Sequence, residues 1–269
     1  MAALRWLVAL VLAAASGAAA ASVCPPHAFT PPSDVRLSGD AVLIVTHATA
    51  FHDARYATKH GVDAAVRFAK AHRIPVVYLQ DEESPELYFV DDCRPDYWVR
   101  SQDGEIAFDI PATHVLVAGG HLELCLSRTL HDVLERWAGQ PPRNRALVYL
   151  MDAIYSNGRL VEQDDPYYDD LQRFMGIVTY GRPGGETWPK LTLLETMGVI
   201  GRLQREQEYL RRILPHWERT MPGNVRVKVH LNGTKKEVLR AGAGARPPTL
   251  LFQFMDSAAQ LEQSPFAAH

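Results

Sequence analysis

Residues 115–132 read VLVAGGHLELCLSRTLHD, and this stretch decides the fold. An apolar run, 115–118, stops at the pair Gly119-Gly120. Beyond the pair, apolar residues recur three or four positions apart, as on one face of a helix. They are Leu122, Leu126, Leu130, Val133, Leu134 and Trp137. The pattern predicts a buried strand that meets a helix through a tight glycine turn, with Cys125 in the first turn of the helix.

The position of Cys125 has a chemical consequence. The free amides at a helix N-terminus stabilise a thiolate, which lowers the pKa of a cysteine placed there. The same amides can hold an oxyanion while the thiolate attacks a carbonyl carbon. The stretch therefore indicates a nucleophile site, although a buried core cysteine in an ordinary strand–helix turn would give the same pattern.

Buried strands flank this stretch on both sides. Residues 41–45 form a continuous apolar run, typical of a strand covered on both faces, and residues 74–79 and 145–151 are similar. Between the first two strands, Asp53 can cap a helix with an amphipathic face. Residues 166–175 are predicted as a further helix and 176–180 as a further strand. This alternation predicts an α/β fold, a doubly wound, mainly parallel sheet with helices on both faces.

The remaining segments carry antiparallel and helical signals. Residues 87–90, 97–99 and 106–108 are short strand candidates around Asp103-Gly104, a good hairpin turn. In the tail, 188–217 have helical spacing, 225–231 alternate, Asn232-Gly233 is a strong hairpin signal, and 249–254 form a last strand. We expect a C-terminal helix and β-hairpin extension, 186–269, packed on a core of residues 41–185. A role of this extension in homo-oligomer contact is left open.

The first 21 residues have the composition of a cleavable secretory signal peptide. Arg5 precedes the apolar run 6–12, and small residues, mostly alanine, fill 13–21. A proline-rich, irregular arm, 22–40, follows. We expect an exported protein, secreted or periplasmic, with no membrane anchor after cleavage. A net charge of −3 gives no electrostatic reason to expect nucleic acid or an anionic membrane as a partner.

The residues around Cys125 resemble a known family, the isochorismatase-like cysteine hydrolases, which include nicotinamidases and carbamoylases. In that family a glycine stands six residues before the nucleophilic cysteine. An apolar residue follows the cysteine, a threonine stands four residues after it, and an aspartate lies beyond. The residues at those offsets here are Gly119, Cys125, Leu126, Thr129 and Asp132. The resemblance covers roughly residues 41–180. It implies hydrolysis of a C–N bond of a small amide-like substrate through a cysteine thioester, and we predict no cofactor.

The resemblance also bears on the three cysteines. In an oxidising compartment, Cys24, Cys93 and Cys125 allow one disulfide and one leftover thiol. The family keeps the thiol at the strand–helix turn reduced, so Cys125 is expected to be free. Cys24 and Cys93 lie in polar, proline-flanked loops and are predicted to form the disulfide.

The usual partners of the cysteine are missing. The family's cysteine works with an aspartate at the end of the first strand and a lysine between the second strand and the nucleophile. Here Thr46 or His47 occupies the aspartate's position, and no lysine occurs between Lys70 and Lys190.

Two interpretations of the altered site stay open. In the first, His47 or His52 acts as the base for Cys125, with Arg100 as a source of positive charge. Other residues would orient the imidazole or contact the oxyanion or substrate: Thr46, Asp53, Glu82, Gly120, His121 and Glu123. In the second, the fold is kept and the triad is lost, which leaves a catalytically inactive binding or scaffolding module for a small-molecule ligand.

The same part of the sequence also contains residue types that bind metal ions. His47, His52, His121, Glu123 and Cys125 are all potential ligands near one crevice. However, the spacing of His121, Glu123 and Cys125 places alternate residues on different helical faces, and no HxxxH or CxxC spacing occurs. We therefore predict no metal.

Overall fold

The structure is a computed structural model that describes residues 24–25, 27–49, 58–81, 90–120, 122, 125–156, 191–192, 217–231 and 235–268. The predicted signal peptide, the helix at 166–175, the strand at 176–180 and the Asn232-Gly233 turn lie outside these residues. None of the helices within them is long and apolar enough to cross a membrane.

The described residues form one sheet with helices on both faces. Its strands are β1 (Ala41–Thr46), β2 (Val76–Gln80), β3 (Tyr97–Arg100), β4 (His114–Gly119), β5 (Arg145–Ser156), β6 (Leu191–Thr192), β7 (Arg226–Leu231), β8 (Lys235–Arg240) and β9 (Thr249–Met255). The helices are α1 (Lys59–Ala71), α2 (Cys125–Ala138) and α3 (Trp217–Thr220), with 3-10 helices at Pro32–Asp34, Ala258–Gln263 and Pro265–Ala268.

The strand order is β3-β2-β1-β4-β5-β9-β7-β8, and β6 pairs with β5 off this path. Pairings from β3 through to β7 are parallel, whereas β7–β8 and β5–β6 are antiparallel. This arrangement confirms the predicted α/β fold with a doubly wound, mainly parallel sheet.

Alternation along the central strand divides the core into two layers. Val42 and Ile44 of β1 pack in the layer that contains the apolar face of α2. Leu43 and Val45 pack in the layer that contains the apolar face of α1 and the C-terminal 3-10 helices. Both faces of β1 are buried because successive side chains of a strand point to opposite sides of the sheet.

The predicted C-terminal β-hairpin is present, because β7 and β8 pair antiparallel, but it is joined to the central sheet through β9. Strand β9 pairs in parallel with β5, and β7 pairs in parallel with β9, so the tail continues the central sheet. The edge of β5 carries backbone groups that need hydrogen bonds, and β9 supplies them. Leu191–Thr192, predicted within a helix, instead lies in β6 beside the end of β5. Strand pairing here overrides the helical spacing.

The predicted hairpin around Asp103-Gly104 is wrong in its second arm. Gly104 does take a left-handed turn, with φ of +80°. Residues 106–108, however, form no strand. The Ile106 amide donates to Asp132 Oδ2 at 2.8 Å, and Arg136 donates to the Ile106 carbonyl. Side chains of α2 therefore satisfy the backbone that a second hairpin strand would have paired.

The N-terminal arm is tied to the edge of the sheet. The disulfide Cys24–Cys93 is present, as predicted. Further along the arm, the Thr30 amide donates to the Trp98 carbonyl of β3 at 2.6 Å, and the Trp98 amide donates to Thr30 Oγ1 at 3.3 Å. The arm thereby pairs backbone groups that β3 would otherwise expose at this edge.

Candidate functional site

The candidate site lies where the strand order reverses. Strands β2 and β3 lie on one side of β1, and β4 and β5 lie on the other. In sheets of this kind, ligands bind outside the carboxyl ends of the two strands at the switch point. His47 directly follows β1, the glycine turn ends β4, and Cys125 is the first residue of α2.

Close packing requires both glycines of the turn. Gly119 has φ of +89°, and a Cβ there would lie 1.9 Å from the Thr46 carbonyl oxygen. A Cβ on Gly120 would lie 2.7 Å from the Tyr155 carbonyl oxygen. The Gly120 amide donates to the Thr46 carbonyl at 2.9 Å, and its carbonyl accepts from the Tyr155 hydroxyl at 3.2 Å. Both backbone groups of Gly120 thus stabilise the turn. Its amide is therefore not available as the oxyanion donor that the sequence predicts.

Thr46, one of the two candidates for the aspartate's position, forms a structural contact. Its buried hydroxyl lies 3.2 Å from Thr129 Oγ1, one helical turn beyond Cys125. Thr129 donates to the Gly104 carbonyl at 2.6 Å. A Cβ on Gly104 would lie 2.2 Å from the Cys125 carbonyl oxygen, so the 103–105 turn packs directly on the start of α2. A hydroxyl held in this chain cannot take a thiol proton as a carboxylate would.

His47 is buried and held from several sides. Its Nε2 lies 2.8 Å from the Ser101 carbonyl, and its own carbonyl accepts from the Tyr155 hydroxyl at 2.6 Å. A carbonyl only accepts, so Nε2 carries the proton and Nδ1 is the acceptor nitrogen. Burial lowers the pKa of His47, and the Ser101 carbonyl and nearby carboxylates only partly oppose this effect. The imidazole is therefore neutral at neutral pH.

The pKa of the Cys125 thiol is raised, whereas the sequence predicts that it is lowered. Burial, assisted by the carboxylates of Asp103, Asp81 and Glu105, raises its pKa to about 11. A backbone hydrogen bond at Cys125 itself acts in the other direction. The expected thiolate is thus disfavoured at neutral pH. The helix N-terminus is outweighed because the side chain is partly removed from water and surrounded by negative charge.

His47 and Cys125 lie at the same switch point of the sheet, called the Cys125 crevice below, but do not form a pair. The same three carboxylates act on both residues: Asp81, Asp103 and Glu105. Within the described residues, no hydrogen bond joins Cys125 Sγ to His47. The other predicted site residues lie outside the described part of the chain, so their roles stay predictions. They are His52, Asp53, Glu82, His121 and Glu123.

No described cation takes the place of the family's lysine. Lys59 begins α1, which packs in the core layer across the sheet from α2, and its Nζ lies 2.6 Å from both Asp63 and Asp91. The Arg100 guanidinium lies 4.8 Å from the centre of the Phe29 ring on the N-terminal arm. Among the residues that the structure describes, each charged side chain that acts on the pKa of Cys125 is a carboxylate.

A cluster of potential metal ligands lies away from the crevice. Ligand atoms of His131, Asp132 and Glu135 on α2 lie within 4.8 Å of one another. The two oxygens of Asp132 are already engaged, one by the Ile106 amide and the other by Arg128 Nε at 3.2 Å. An ion would have to displace the arginine, so the arrangement does not favour a metal.

The volume of the cavities does not identify the site at Cys125. One cavity of about 740 Å³ lies at the other end of the sheet, between the 3-10 helix at Pro32–Asp34 and the segments before β4 and β5. Its lining includes Val35, Phe108, Asp109 and Arg143 and contains no cysteine or histidine. The chemistry therefore points to the Cys125 crevice, and the volume does not.

Sequence reasoning missed five residues of the site: Asp81, Ser101, Asp103, Glu105 and Tyr155. The pair Asp103-Gly104 gave a signal, but it suggested a hairpin. Glu105 is folded back on this turn, where its carboxylate accepts the Asp103 amide at 2.9 Å. Tyr155 lies beyond the predicted strand end at residue 151, and it reaches the site because β5 continues to Ser156.

Comparisons with known proteins return matches at the level of structure. No model of a known protein family matches the sequence, and no curated protein matches it. N-carbamoylsarcosine amidase from Thermoplasma acidophilum is 16% identical with a TM-score of 0.35, over 53% of this chain and 94% of that one. A cysteine hydrolase from Pseudomonas syringae pv. phaseolicola is 14% identical with a TM-score of 0.36, over 61% and 94%. A pyrazinamidase/nicotinamidase from Streptococcus mutans is 11% identical with a TM-score of 0.32, over 51% and 96%.

Identities and TM-scores this low say nothing about activity or substrate. The solved structures to which the chain is similar include isochorismatase-family cysteine hydrolases, the family that the motif from Gly119 to Asp132 resembles.

Proposed function

We propose that the chain is an exported binding protein for a small molecule, with an isochorismatase-like hydrolase fold that has lost thiolate catalysis at neutral pH. The observation that carries the proposal is the environment of Cys125. The thiol is partly buried among the carboxylates of Asp81, Asp103 and Glu105, and its pKa is raised to about 11. A cysteine nucleophile requires the reverse, a positive environment that stabilises the thiolate.

The same charges act against the later steps of hydrolysis. Attack on an amide carbonyl produces an oxyanion, which needs hydrogen-bond donors or positive charge. The Gly120 amide is engaged by the Thr46 carbonyl, and the carboxylates would repel the oxyanion. The crevice is better suited to hold a neutral or cationic small molecule than to turn over an amide. The Cys24–Cys93 disulfide supports export, because such bonds persist in oxidising compartments.

Two amides test the loss of catalysis. Mature protein is incubated with nicotinamide and with N-carbamoylsarcosine at neutral pH, and ammonia release and the intact protein mass are followed. We expect no release above that of a Cys125→Ser variant and no acyl adduct. Turnover that Cys125→Ser abolishes would contradict the proposal.

A matched pair of ligands tests binding. Nicotinamide and nicotinate share a ring and differ in charge. Because of the carboxylates, we expect nicotinamide to raise the melting temperature more than nicotinate, and Asp103→Asn to reduce the difference. Equal effects of the two ligands, or a stronger effect of nicotinate, would contradict the charge argument.

A second candidate function is hydrolysis of a C–N bond through a Cys125 thioester, and the tautomer of His47 favours it. With Nε2–H donated to Ser101, Nδ1 can take the thiol proton. The thiolate would then attack the carbonyl carbon, and the amine would leave with the proton that His47 had taken. Water would hydrolyse the thioester, releasing the acid and restoring the thiol. This route predicts that His47→Asn and Cys125→Ser each reduce amidase activity by on the order of 10²–10⁴-fold. His60→Asn, on the exposed face of α1, is the control and should not change it.

A further inference from the structure

Two adjoining cavities lie at the end of the sheet opposite Cys125, before β1, β2, β3 and β4. One has a volume of about 430 Å³ and the other of about 280 Å³. They share the lining residues Ser38, Arg73, Ile74 and Pro75. A single ligand that passes Arg73 would therefore occupy both. This site shares no residue with the Cys125 crevice.

The larger cavity is cationic. Its lining carries Arg36, Lys70 and Arg73 against one carboxylate, Asp96. Asp96 is engaged by the Val76 amide at 2.7 Å. Lys70 is paired with Asp92 at 2.9 Å, so its charge is partly compensated. The two arginines form no ion pair within the described residues, which leaves a net positive surface for an anion, and Arg36 Nη1 also donates to the Ser33 and Val35 carbonyls.

Arg73 is held in an unusual backbone conformation. Its amide donates to the Lys70 carbonyl at 3.2 Å, and the next amide, of Ile74, donates to the Ala69 carbonyl at 2.8 Å. This is the Schellman motif that ends many helices, and glycine usually fills the left-handed position that Arg73 takes here with φ of +56°. The fold thus carries a strained arginine where glycine would fit without strain, a pattern that points to a role for the side chain.

The smaller cavity offers an apolar surface beside this charge. Ile74 and Phe266 are buried in its wall and Pro75 lies between the two cavities. The Phe266 ring packs edge-on against His114, with ring centres 5.0 Å apart. Asp40 also lines this cavity but is exposed, and its backbone carbonyl is engaged by the Thr113 and His114 amides.

From this juxtaposition we infer a second ligand site, for a small organic carboxylate with a short apolar chain. The carboxylate is bound by Arg73 and Arg36 in the larger cavity, where a guanidinium can make two parallel hydrogen bonds to it. The apolar chain lies over Pro75 against Ile74 and Phe266.

Three probes separate the two halves of the site. Hexanoate carries both the charge and the chain, acetate carries only the charge, and hexan-1-ol carries only the chain. Each is titrated into the mature protein while amide chemical shifts are followed by NMR. We expect saturable shifts with hexanoate, centred on Arg73, Ile74 and His114, and at least roughly tenfold weaker binding of acetate and of hexan-1-ol.

Three variants test the role of Arg73. Arg73→Gln removes the charge, and Arg246→Gln removes one charge from an exposed loop elsewhere as a matched control. Arg73→Gly removes the charge and the backbone strain together, so it should bind hexanoate roughly tenfold more weakly while melting no lower than wild type. Arg246→Gln should bind like wild type.

Four results would overturn the inference. The first is the absence of saturable shifts with hexanoate. The second and third are binding of acetate, or of hexan-1-ol, as tight as that of hexanoate. The fourth is a weakening of hexanoate binding by Arg246→Gln equal to that by Arg73→Gln. The melting temperature of Arg73→Gly ensures that a loss of binding is not mistaken for a loss of fold.

Discussion

The glycine turn between β4 and α2 gives the sharpest prediction about the fold. Replacing Gly119 by alanine places a Cβ at φ of +89°, a left-handed conformation that costs about 1–2 kcal/mol. The Cβ would lie 1.9 Å from the Thr46 carbonyl oxygen, where real contacts stay above 3.0 Å, so β1 and β4 must separate by roughly 1 Å. Such overpacking costs about 1–3 kcal/mol, and loss of the bond from the Gly120 amide to Thr46 costs about 1 kcal/mol more.

The expected destabilisation of Gly119→Ala is therefore about 3–6 kcal/mol, a large part of the stability of an ordinary domain. Two control variants separate the cost of the left-handed conformation from the cost of the close contact. Gly39 has φ of +87° with nothing near its Cβ, so Gly39→Ala should cost only about 1–2 kcal/mol. Gly139 has its nearest atom at 3.7 Å and no positive φ, so Gly139→Ala should change stability by less than about 0.5 kcal/mol.

Urea unfolding at neutral pH, followed by circular dichroism, measures all three variants. The slopes of the transitions should agree, so that differences in midpoint report stability. If Gly119→Ala unfolds at the same midpoint as Gly39→Ala, the close approach of Thr46 does not hold the turn. The packing argument for this site would then be refuted.

Three further predictions concern the disulfide and the titrating groups. Replacing both Cys24 and Cys93 by alanine should destabilise the protein by about 4 kcal/mol, because the bond closes a separation of 69 residues; an unchanged urea midpoint would contradict this. Burial lowers the pKa of His47, so the stability it confers is present above about pH 6.5 and is lost as the pH falls below that value. His47→Asn should lose less stability than wild type between about pH 7 and pH 5, and a parallel loss would contradict the assignment. Asp103→Asn should lower the pKa of Cys125 and speed its alkylation at pH 8 by roughly twofold to threefold. An unchanged alkylation rate would show that the Asp103 carboxylate does not act on this thiol.

The parallel core could be predicted because its strands are buried on both faces. Residues 41–45 and 115–118 are uninterrupted apolar runs, and the spacing after Gly120 places Cys125 in the first turn of α2 correctly. The pairing of Cys24 with Cys93 was also predicted correctly, although it depended on the family resemblance and not on geometry.

The pairing of β9 with β5 and the electrostatics of the site could not be read from the sequence. Nothing local in residues 249–254 says that β9 will lie beside β5, because this pairing joins residues about 100 positions apart. In the same way, Asp81, Asp103 and Glu105 are distant from Cys125 in sequence and approach it only once β2, β3 and α2 are assembled. A helix N-terminus can be recognised from the sequence, but the carboxylates that oppose it cannot.

The pH dependence of Cys125 alkylation tests the central claim most directly. The mature protein, with its disulfide intact, is treated with iodoacetamide from about pH 6 to pH 11. The rate at Cys125 is read from the intact mass, with circular dichroism as a check on the fold. A neutral thiol with a pKa of about 11 predicts slow labelling at neutral pH and a rate that still rises at the upper end of the range. A rate that reaches its plateau below about pH 8 would show a stabilised thiolate and would contradict the loss of catalysis proposed here.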